Sequence, residues 1–301
     1  MPKSTKNYIY VNMLHGAILY PGEPDNLFIN SIRAIRGVKW EVFIATGSRK
    51  FFGLIDEMFP PHCNLVTILD PDFTSFGYLS GLVRKGCHLF LTENLKMTSD
   101  ERMKLIQLAE EGNTYIQIRN DLLFHPSLSY DNRRVSDSKL IEIHHVSPGK
   151  PGTLQEMMYA NLLMILRIVD AEPSRISVCS IPNSGYQPDV VNLHLNFNNG
   201  SAASLTLSFV GDKKEHLLSI HSASGVAKYD FKGNEQLPSA FSKGIKNTKT
   251  NNSHLLFQQI ANFAECISRK SCHKFGLNEE TKTYRLIEKI NQKLEFSSVL
   301  I

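Results

Sequence analysis

The sequence predicts an α/β protein of two domains: a parallel sheet first, then an α+β domain on an open, mainly antiparallel sheet. The chain has 301 residues, which is enough for two domains of ordinary size. Its first third alternates strand-like apolar runs with amphipathic helical stretches, which is typical of a parallel sheet covered by helices. Its second half is a run of longer strands with one apolar helix. We place the domains at residues 1–122 and 123–301, and the terminal helices could pack back on the first domain.

In the first domain, strands and helices are expected to alternate. Strands are predicted at Tyr8–Leu14, Val42–Ala45, Leu65–Leu69, His88–Leu91 and Tyr115–Ile118, and helices at Asn26–Arg36, Phe76–Arg84 and Thr98–Glu111. The last helix has the strongest signals, because Thr98 and Glu101 form a capping-box pattern and Gly112 follows its end. Ligands of such sheets bind at the carboxyl ends of the strands.

In the second domain, strands are expected to dominate. They are predicted at Leu140–Val146, Ile176–Cys179, Val190–Phe197, Ser204–Ser208, His216–His221 and Ala227–Phe231. One apolar helix is predicted at Gln155–Val169, and Asn198-Asn199-Gly200 indicates a hairpin turn. Two helices, His254–Arg269 and Asn278–Lys293, close the chain. His144 and His145 are neighbours on a strand, so one of the two should face inward.

Composition and charge argue against several classes of protein. The net charge of +4 is spread along the chain, so nucleic acid is not an expected partner. The five cysteines include no CxxC pair, so we expect a reducing compartment, no disulfide framework and no metal site. The chain has neither a signal-peptide pattern nor an apolar run long enough for a membrane span, and a cytoplasmic protein is expected.

Several short motifs follow one another in an order typical of one family. They read Leu69-Asp70-Pro71-Asp72-Phe73-Thr74, Lys85-Gly86-Cys87-His88-Leu89, Glu93-Asn94-Leu95, Leu108-Ala109-Glu110-Glu111-Gly112, Phe124-His125-Pro126, Asn196-Phe197-Asn198-Asn199-Gly200-Ser201-Ala202 and Ile220-His221-Ser222-Ala223-Ser224-Gly225. This series resembles the Gfo/Idh/MocA oxidoreductases, which include glucose–fructose oxidoreductase and inositol dehydrogenase. The resemblance implies a Rossmann domain for NAD or NADP and a sugar-like or polyol small-molecule ligand. It also implies a homo-oligomer, such as a dimer, formed through the C-terminal sheet.

The expected cofactor site departs from the usual dinucleotide pattern. A GxGxxG turn should follow the first strand, but the chain has His15-Gly16 and then Gly22, six residues on. Glu23 and Asp25 would add negative charge where a pyrophosphate binds.

Two further segments belong to the same expected site. Ser48 and Arg49 after the second strand favour NADP, although a plain basic turn explains them equally well. The family's Thr-Pro position is occupied by Asp70-Pro71.

The catalytic positions that the resemblance implies are also altered. After Glu93, the family's lysine position holds Asn94, and Lys96 lies two residues further on. The family's Asp-x-x-x-His falls on Glu156 and Ala160, and alanine cannot transfer a proton. Tyr159 is a candidate acid, with core packing as the alternative.

Two functions are therefore open. One is a catalytically impaired oxidoreductase or pseudoenzyme that acts as a binding module, because three elements of one chemistry are lost together. The alternative is an active NADP-dependent sugar or polyol oxidoreductase with a rearranged site that uses Tyr159 and Lys96.

Overall fold

The computed structural model describes the chain in two compact units. The described residues are 13–22, 25–45, 60–91, 95, 97–122, 139–148, 154–181, 188–223, 225–231, 252–270 and 277–298. The first unit comprises residues 1–119 and 253–278, and the second comprises residues 120–252 and 279–301.

The first unit is built on a five-stranded parallel sheet in the order β2-β1-β3-β4-β5. Its strands are β1 (Leu14–Tyr20), β2 (Val38–Ala45), β3 (Leu65–Ile68), β4 (His88–Leu91) and β5 (Ile116–Ile118). Its helices are α1 (Asn26–Arg33), α2 (Phe76–Arg84), α3 (Ser99–Glu111) and α5 (Asn252–Arg269), and the intervening α4 (Leu154–Val169) belongs to the second unit. The predicted parallel sheet with interleaved helices is confirmed.

Both faces of this sheet are buried, which explains why its inner strands are continuous apolar runs. One face packs against α2 and α3 in a cluster that includes Val66, Leu79 and Leu105. The other face packs against α1 and α5, and the rings of Phe90 and Phe263 lie 6.1 Å apart there. Because α5 supplies part of this core, a short segment that follows the second sheet in the chain, residues 253–278, completes the first unit.

The second unit contains a six-stranded sheet in the order β11-β10-β6-β9-β8-β7. These strands are β6 (Leu140–Val146), β7 (Pro173–Ile181), β8 (Val190–Phe197), β9 (Ala202–Ser208), β10 (Glu215–Ser222) and β11 (Gly225–Asp230). Only β6 and β9 pair in parallel, and the other neighbours are antiparallel, so the predicted mainly antiparallel sheet is confirmed.

Helices α4 (Leu154–Val169) and α6 (Leu277–Ser298) bury one face of this second sheet. Alternate residues on the central strands point into this core, for example Ile141 and Ile143 on β6 and Leu205 on β9. Their neighbours on the other face are mostly polar and partly or fully exposed. One face of the sheet therefore remains open within the unit. Among the described helices, none is long and apolar enough to span a bilayer.

The predicted position of the first strand is wrong. The sequence placed it at Tyr8–Leu14, whereas β1 begins at Leu14 and ends at Tyr20. Residues 8–12 of the predicted strand lie outside the described residues. The difference arises because the aromatic and β-branched run resembled a strand more closely than the true strand, which contains a histidine and a glycine. Residues 15–20, which were expected in the turn after the first strand, therefore belong to β1 itself.

Candidate functional site

The carboxyl edge of the first unit's sheet is the expected ligand site of this fold. The turn after β1 now begins at Pro21 and leads to Asp25, the N-cap of α1. It contains one described glycine, Gly22, whose positive φ of 92° suits a residue without a side chain. The expectation that His15 and Gly16 lie in this turn is wrong, since both are part of β1.

The amino terminus of α1 already carries a carboxylate. Asp25 Oδ1 accepts a hydrogen bond from the backbone N–H of Phe28, with an N···O distance of 2.7 Å. Dinucleotide-binding folds place a pyrophosphate at this helix terminus, where free N–H groups and the helix dipole receive it. Asp25 therefore occupies one of these N–H groups and adds negative charge at the helix terminus where such folds bind a pyrophosphate.

Gly16 has a packing role instead of a phosphate-binding one. A Cβ atom at this position would lie 2.5 Å from Cε3 and 2.7 Å from Cζ3 of Trp40, and 2.9 Å from Cγ1 of Val38. The indole thus lies directly against the backbone of β1. His15 points to the opposite face, and its Nδ1 lies 3.1 Å from Oε1 of Glu41.

The segment after β3 caps itself. Oδ1 of Asp70 accepts a hydrogen bond of 2.9 Å from the backbone N–H of Asp72, and Pro71 begins a single 3₁₀ turn that ends at Phe73. Thr74 closes this turn by donating its hydroxyl to the carbonyl of Pro71. Asp70 is buried, so this cap adds a second carboxyl group at the carboxyl edge.

The segment after β4 is held by a buried arginine. Glu93, Asn94 and Lys96 lie outside the described residues, as do Ser48 and Arg49 after β2. Leu95 and Met97 are described, and Arg102 on α3 donates to their carbonyls at 3.0 and 3.3 Å. Arg102 is 4% exposed. It anchors the chain just beyond Asn94, where the family resemblance implies a lysine, and sequence analysis missed this role because the partners are backbone atoms.

The candidate residues on α4 fall into two environments. Glu156 is exposed in the first helical turn, and Ala160 is partly buried. Tyr159 is buried, and its hydroxyl donates a short hydrogen bond to Glu280 on α6. Its ring lies 5.0 Å from that of Tyr284. Tyr159 therefore has a core-packing role, which sequence analysis gave as the alternative to an acid role.

A second buried polar group of α4 was not predicted. Asn161 is fully buried, and its amide N–H groups donate to the carbonyl of Met157 at 2.7 Å and to Nδ1 of His145 at 3.0 Å. Its amide oxygen accepts from Nε2 of His216 at 2.8 Å. The two imidazole rings stack with centroids 4.1 Å apart.

The buried position of His145 in this network keeps its ring neutral near pH 7. Burial, assisted by the nearby His144, lowers the pKa of His145 from 6.5 to about 4. A neutral ring is also what the hydrogen bond from Asn161 to Nδ1 requires. The prediction that one of the two adjacent histidines faces inward is confirmed, since His145 is partly buried and His144 is exposed.

Comparison with known proteins identifies dehydrogenases as relatives in fold. No protein-family model matches the chain. Over 175 residues the chain is 23% identical to the UDP-N-acetylglucosamine 3-dehydrogenase of Acidithiobacillus ferrooxidans, and the match covers 56% of each protein, so about half of that relative.

The solved structures match over nearly their whole length. The structure of the same dehydrogenase superimposes with a TM-score of 0.72 at 17% identity, covering 92% of this chain and 96% of that one. The myo-inositol 2-dehydrogenase of Lactobacillus plantarum gives a TM-score of 0.69 at 11% identity, covering 94% and 98%. A dehydrogenase from Chromobacterium violaceum gives 0.70 at 14% identity, covering 95% and 96%. At these low sequence identities, the structural similarity establishes that the fold is shared.

Proposed function

The chain has the two-domain fold of the Gfo/Idh/MocA-type dehydrogenases, and from this premise we propose that it is a degenerate oxidoreductase acting as a binding module. The observation that carries the proposal is the Asp25 carboxylate at the amino terminus of α1. A pyrophosphate bound at this helix terminus would lie close to that carboxylate.

Electrostatics gives the size of the conflict. Two like unit charges about 4 Å apart near a protein surface repel by about 4 kcal/mol. That is equivalent to roughly a thousandfold loss of affinity. Asp70 brings another carboxyl group to the same edge of the sheet.

The altered catalytic positions support the same proposal. Asn94 cannot titrate as a lysine does, and Ala160 cannot transfer a proton. Tyr159, the nearest replacement on α4, already donates its hydroxyl to Glu280 inside the second unit. At these family positions the residue types that would transfer a proton beside a nicotinamide are therefore replaced, and the Tyr159 hydroxyl is already hydrogen-bonded to Glu280.

The proposed ligand is a sugar-like small molecule, and a nucleotide sugar is the first one to test. The relative with 23% identity is named for UDP-N-acetylglucosamine, which supports this class. We also propose a homo-oligomer formed through the open face of the second sheet. That face includes Glu142, His144 and His194, so its interface would be polar rather than apolar. Light scattering that reports a monomer at all concentrations would contradict the homo-oligomer.

Calorimetric titration of the full chain tests the proposal. We expect no heat of binding from NADH or NADPH at about millimolar concentration, and binding of UDP-N-acetylglucosamine. Asp25→Asn is the informative variant, because asparagine keeps the cap hydrogen bond and removes the charge. Recovery of weak dinucleotide binding in Asp25→Asn would identify the carboxylate as the cause. Tight binding of NADPH by the unaltered chain would overturn the proposal.

A second candidate is an active NADP-dependent sugar or polyol oxidoreductase. Ser48 and Arg49 favour it, because they follow the carboxyl end of β2, where a 2′-phosphate is recognised in this fold. Lys96 and Tyr159 would then carry the proton chemistry. Binding of NADPH that is abolished in Arg49→Ala, together with NADPH oxidation lost in Lys96→Ala, would establish this candidate.

A further inference from the structure

Three potential metal ligands converge at the amino end of the first unit's sheet, the end opposite to the expected dinucleotide site. They are Nδ1 of His15, a carboxylate oxygen of Glu41 and Nε2 of His62, and all lie within 4.8 Å of one another. We propose that these three side chains bind one divalent transition-metal ion, with Zn²⁺ as the best match. The site is independent of the proposed sugar or dinucleotide ligand.

The position of His15 is determined by hydrogen bonds on both sides of its backbone. Its N–H donates to Oδ1 of Asn64 at 2.8 Å, and its carbonyl accepts from the N–H of Asn64 at 3.0 Å. Asn64 lies directly before β3, so β1 and the chain entering β3 are joined at this level. The ring of His15 contacts that of His62 edge-on, with centroids 4.7 Å apart.

His62 is presented by a proline-containing turn. The N–H of Cys63 donates to the carbonyl of Pro60 at 2.8 Å, which closes a four-residue turn with Pro61 and His62 at its centre. Proline restricts φ at the second position of such turns, so the turn loses little entropy on forming. The imidazole is therefore held near the strands although it is about half exposed.

A β-bulge directs Glu41 to the same place. Gly16 pairs with Trp40 and the next residue, Ala17, pairs with Val42, so Glu41 is the extra residue on β2. Bulges of this kind change the direction of a side chain and are common beside functional sites. Trp40 packs against Gly16 on one face of the sheet, and Glu41 projects from the other face with His15.

The distances suit a small, four-coordinate ion. Zinc binds histidine nitrogen and carboxylate oxygen at about 2.0–2.2 Å, so ligand atoms of a tetrahedral site lie roughly 3.3 Å apart. Here Nδ1 of His15 lies 3.1 Å from Oε1 of Glu41, and Nε2 of His62 lies 2.5 Å from Oε2. None of the three side chains is fully buried, so side-chain rotation can bring their ligand atoms to this spacing. Two histidines and one glutamate leave the fourth position for water.

Lys39 is the internal competitor of the metal. Its Nζ lies 2.8 Å from Oε1 of Glu41, and its side chain is 60% exposed. The rings of His15 and His62 lie at hydrogen-bond distance from the same carboxylate. A metal ion would displace the ammonium group, which can move freely into solvent.

Metal binding would connect three parts of the first unit at its amino end. His15 lies five residues before the end of β1. The proposed metal site is therefore about 16 Å along the strand from the carboxyl edge of the sheet. The ion would tie the edge strand β2 to β1 and to the turn that leads into β3. Its expected effect is therefore stabilisation of the fold, with one exchangeable water on the metal.

The test is titration of the metal-free full chain with Zn²⁺ by calorimetry, and with Co²⁺ by visible absorption. We expect one equivalent of Zn²⁺ to bind, a rise in melting temperature and a four-coordinate Co²⁺ spectrum without a thiolate charge-transfer band. His62→Ala should weaken Zn²⁺ binding at least about 100-fold, because even second-shell losses cost 10–100-fold. Lys39→Met should tighten it, and this gain would not follow from a purely structural hydrogen-bond cluster.

His221→Ala is the matched control, because His221 is an exposed histidine paired with a glutamate in the second unit. It should bind Zn²⁺ as the unaltered chain does. Absence of Zn²⁺ and Co²⁺ binding, equal affinity in His62→Ala, or a thiolate band would each overturn the proposal. If His62→Ala misfolds, the Zn²⁺ affinity of Lys39→Met and the Co²⁺ spectrum of the unaltered chain still test whether the metal binds at this cluster. None of these readouts depends on NADPH or sugar binding, so this proposal and the proposed function can fail separately.

Discussion

His145 lies on β6 with its ring toward α4, where Nδ1 accepts a hydrogen bond from the side-chain amide of Asn161. Acid should destabilise the protein at this contact. A proton added to Nδ1 would replace an acceptor with a donor and break that hydrogen bond. Burial also opposes the charge, with His144 adding repulsion, and together they lower the pKa of His145 from 6.5 to about 4. The unfolded chain therefore takes up this proton near pH 6.5, and the folded chain only near pH 4.

The sign and size of the pH effect on stability follow from the difference between the pKa values of His145 in the folded and unfolded chain. The contribution of His145 to the free energy of unfolding is complete above about pH 6.5 and falls as the pH is lowered toward 4. Each pH unit in that window is equivalent to about 1.4 kcal/mol, which gives a ceiling of about 3 kcal/mol. The ring is partly exposed, so we expect about 1–2 kcal/mol.

The effect is measured by urea unfolding at about pH 7 and at about pH 5, with a near-ultraviolet signal to monitor the loss of the folded state. His145→Gln should lose part of the acid-induced destabilisation, whereas His144→Gln, on the exposed side of the same strand, should retain most of it, because burial is the larger cause of the lowered pKa of His145. Equal pH dependence in His145→Gln and in the unaltered protein would refute the reasoning. So would a pKa above about 6 for His145 in a proton NMR titration.

Three further predictions concern stability and use thermal or urea unfolding. Asn161→Ala should lower the free energy of unfolding by about 2–4 kcal/mol, because three hydrogen bonds of a fully buried side chain are lost; a change under about 0.5 kcal/mol would contradict it. Gly16→Ala should cost about 1–3 kcal/mol through its clash with Trp40, whereas Gly77→Ala, with no atom within 4 Å of the new Cβ, should be neutral or stabilising. Equal effects of the two glycine variants would show that the indole moves aside freely. Thr98→Ala removes the capping box of α3 and should cost about 1 kcal/mol, and an unchanged midpoint would mean that the cap is replaced by water.

Much of the fold could be predicted because its signals are local. The helix that begins at Ser99 was predicted from its capping box, and the box is present with both hydrogen bonds. The strands His88–Leu91, Leu140–Val146 and Val190–Phe197 were predicted with the bounds that the structure shows. In each case the pattern lies within one element, so neighbouring residues were sufficient.

β1 shows where local signals mislead. The run ending at Leu14 has higher strand propensity than the strand that follows it, which contains His15 and Gly16. The true strand is favoured by tertiary packing, because the indole of Trp40 requires a residue without a side chain at position 16. This error placed the expected phosphate-binding turn too early, although Asp25 was still expected at the start of a helix.

By itself, the sequence determined the alternation of elements, the two sheets and the altered positions at Asn94 and Ala160, since these follow from the order of residues along the chain. Only the tertiary structure decided which polar side chains meet. Asn161 joins His145 and His216 across 16 and 55 residues, and the metal-ligand cluster spans β1, β2 and the turn before β3. Such side-chain contacts depend on strand register, on a one-residue bulge at Glu41 and on the direction of a turn. None of these produces a periodic pattern in the sequence.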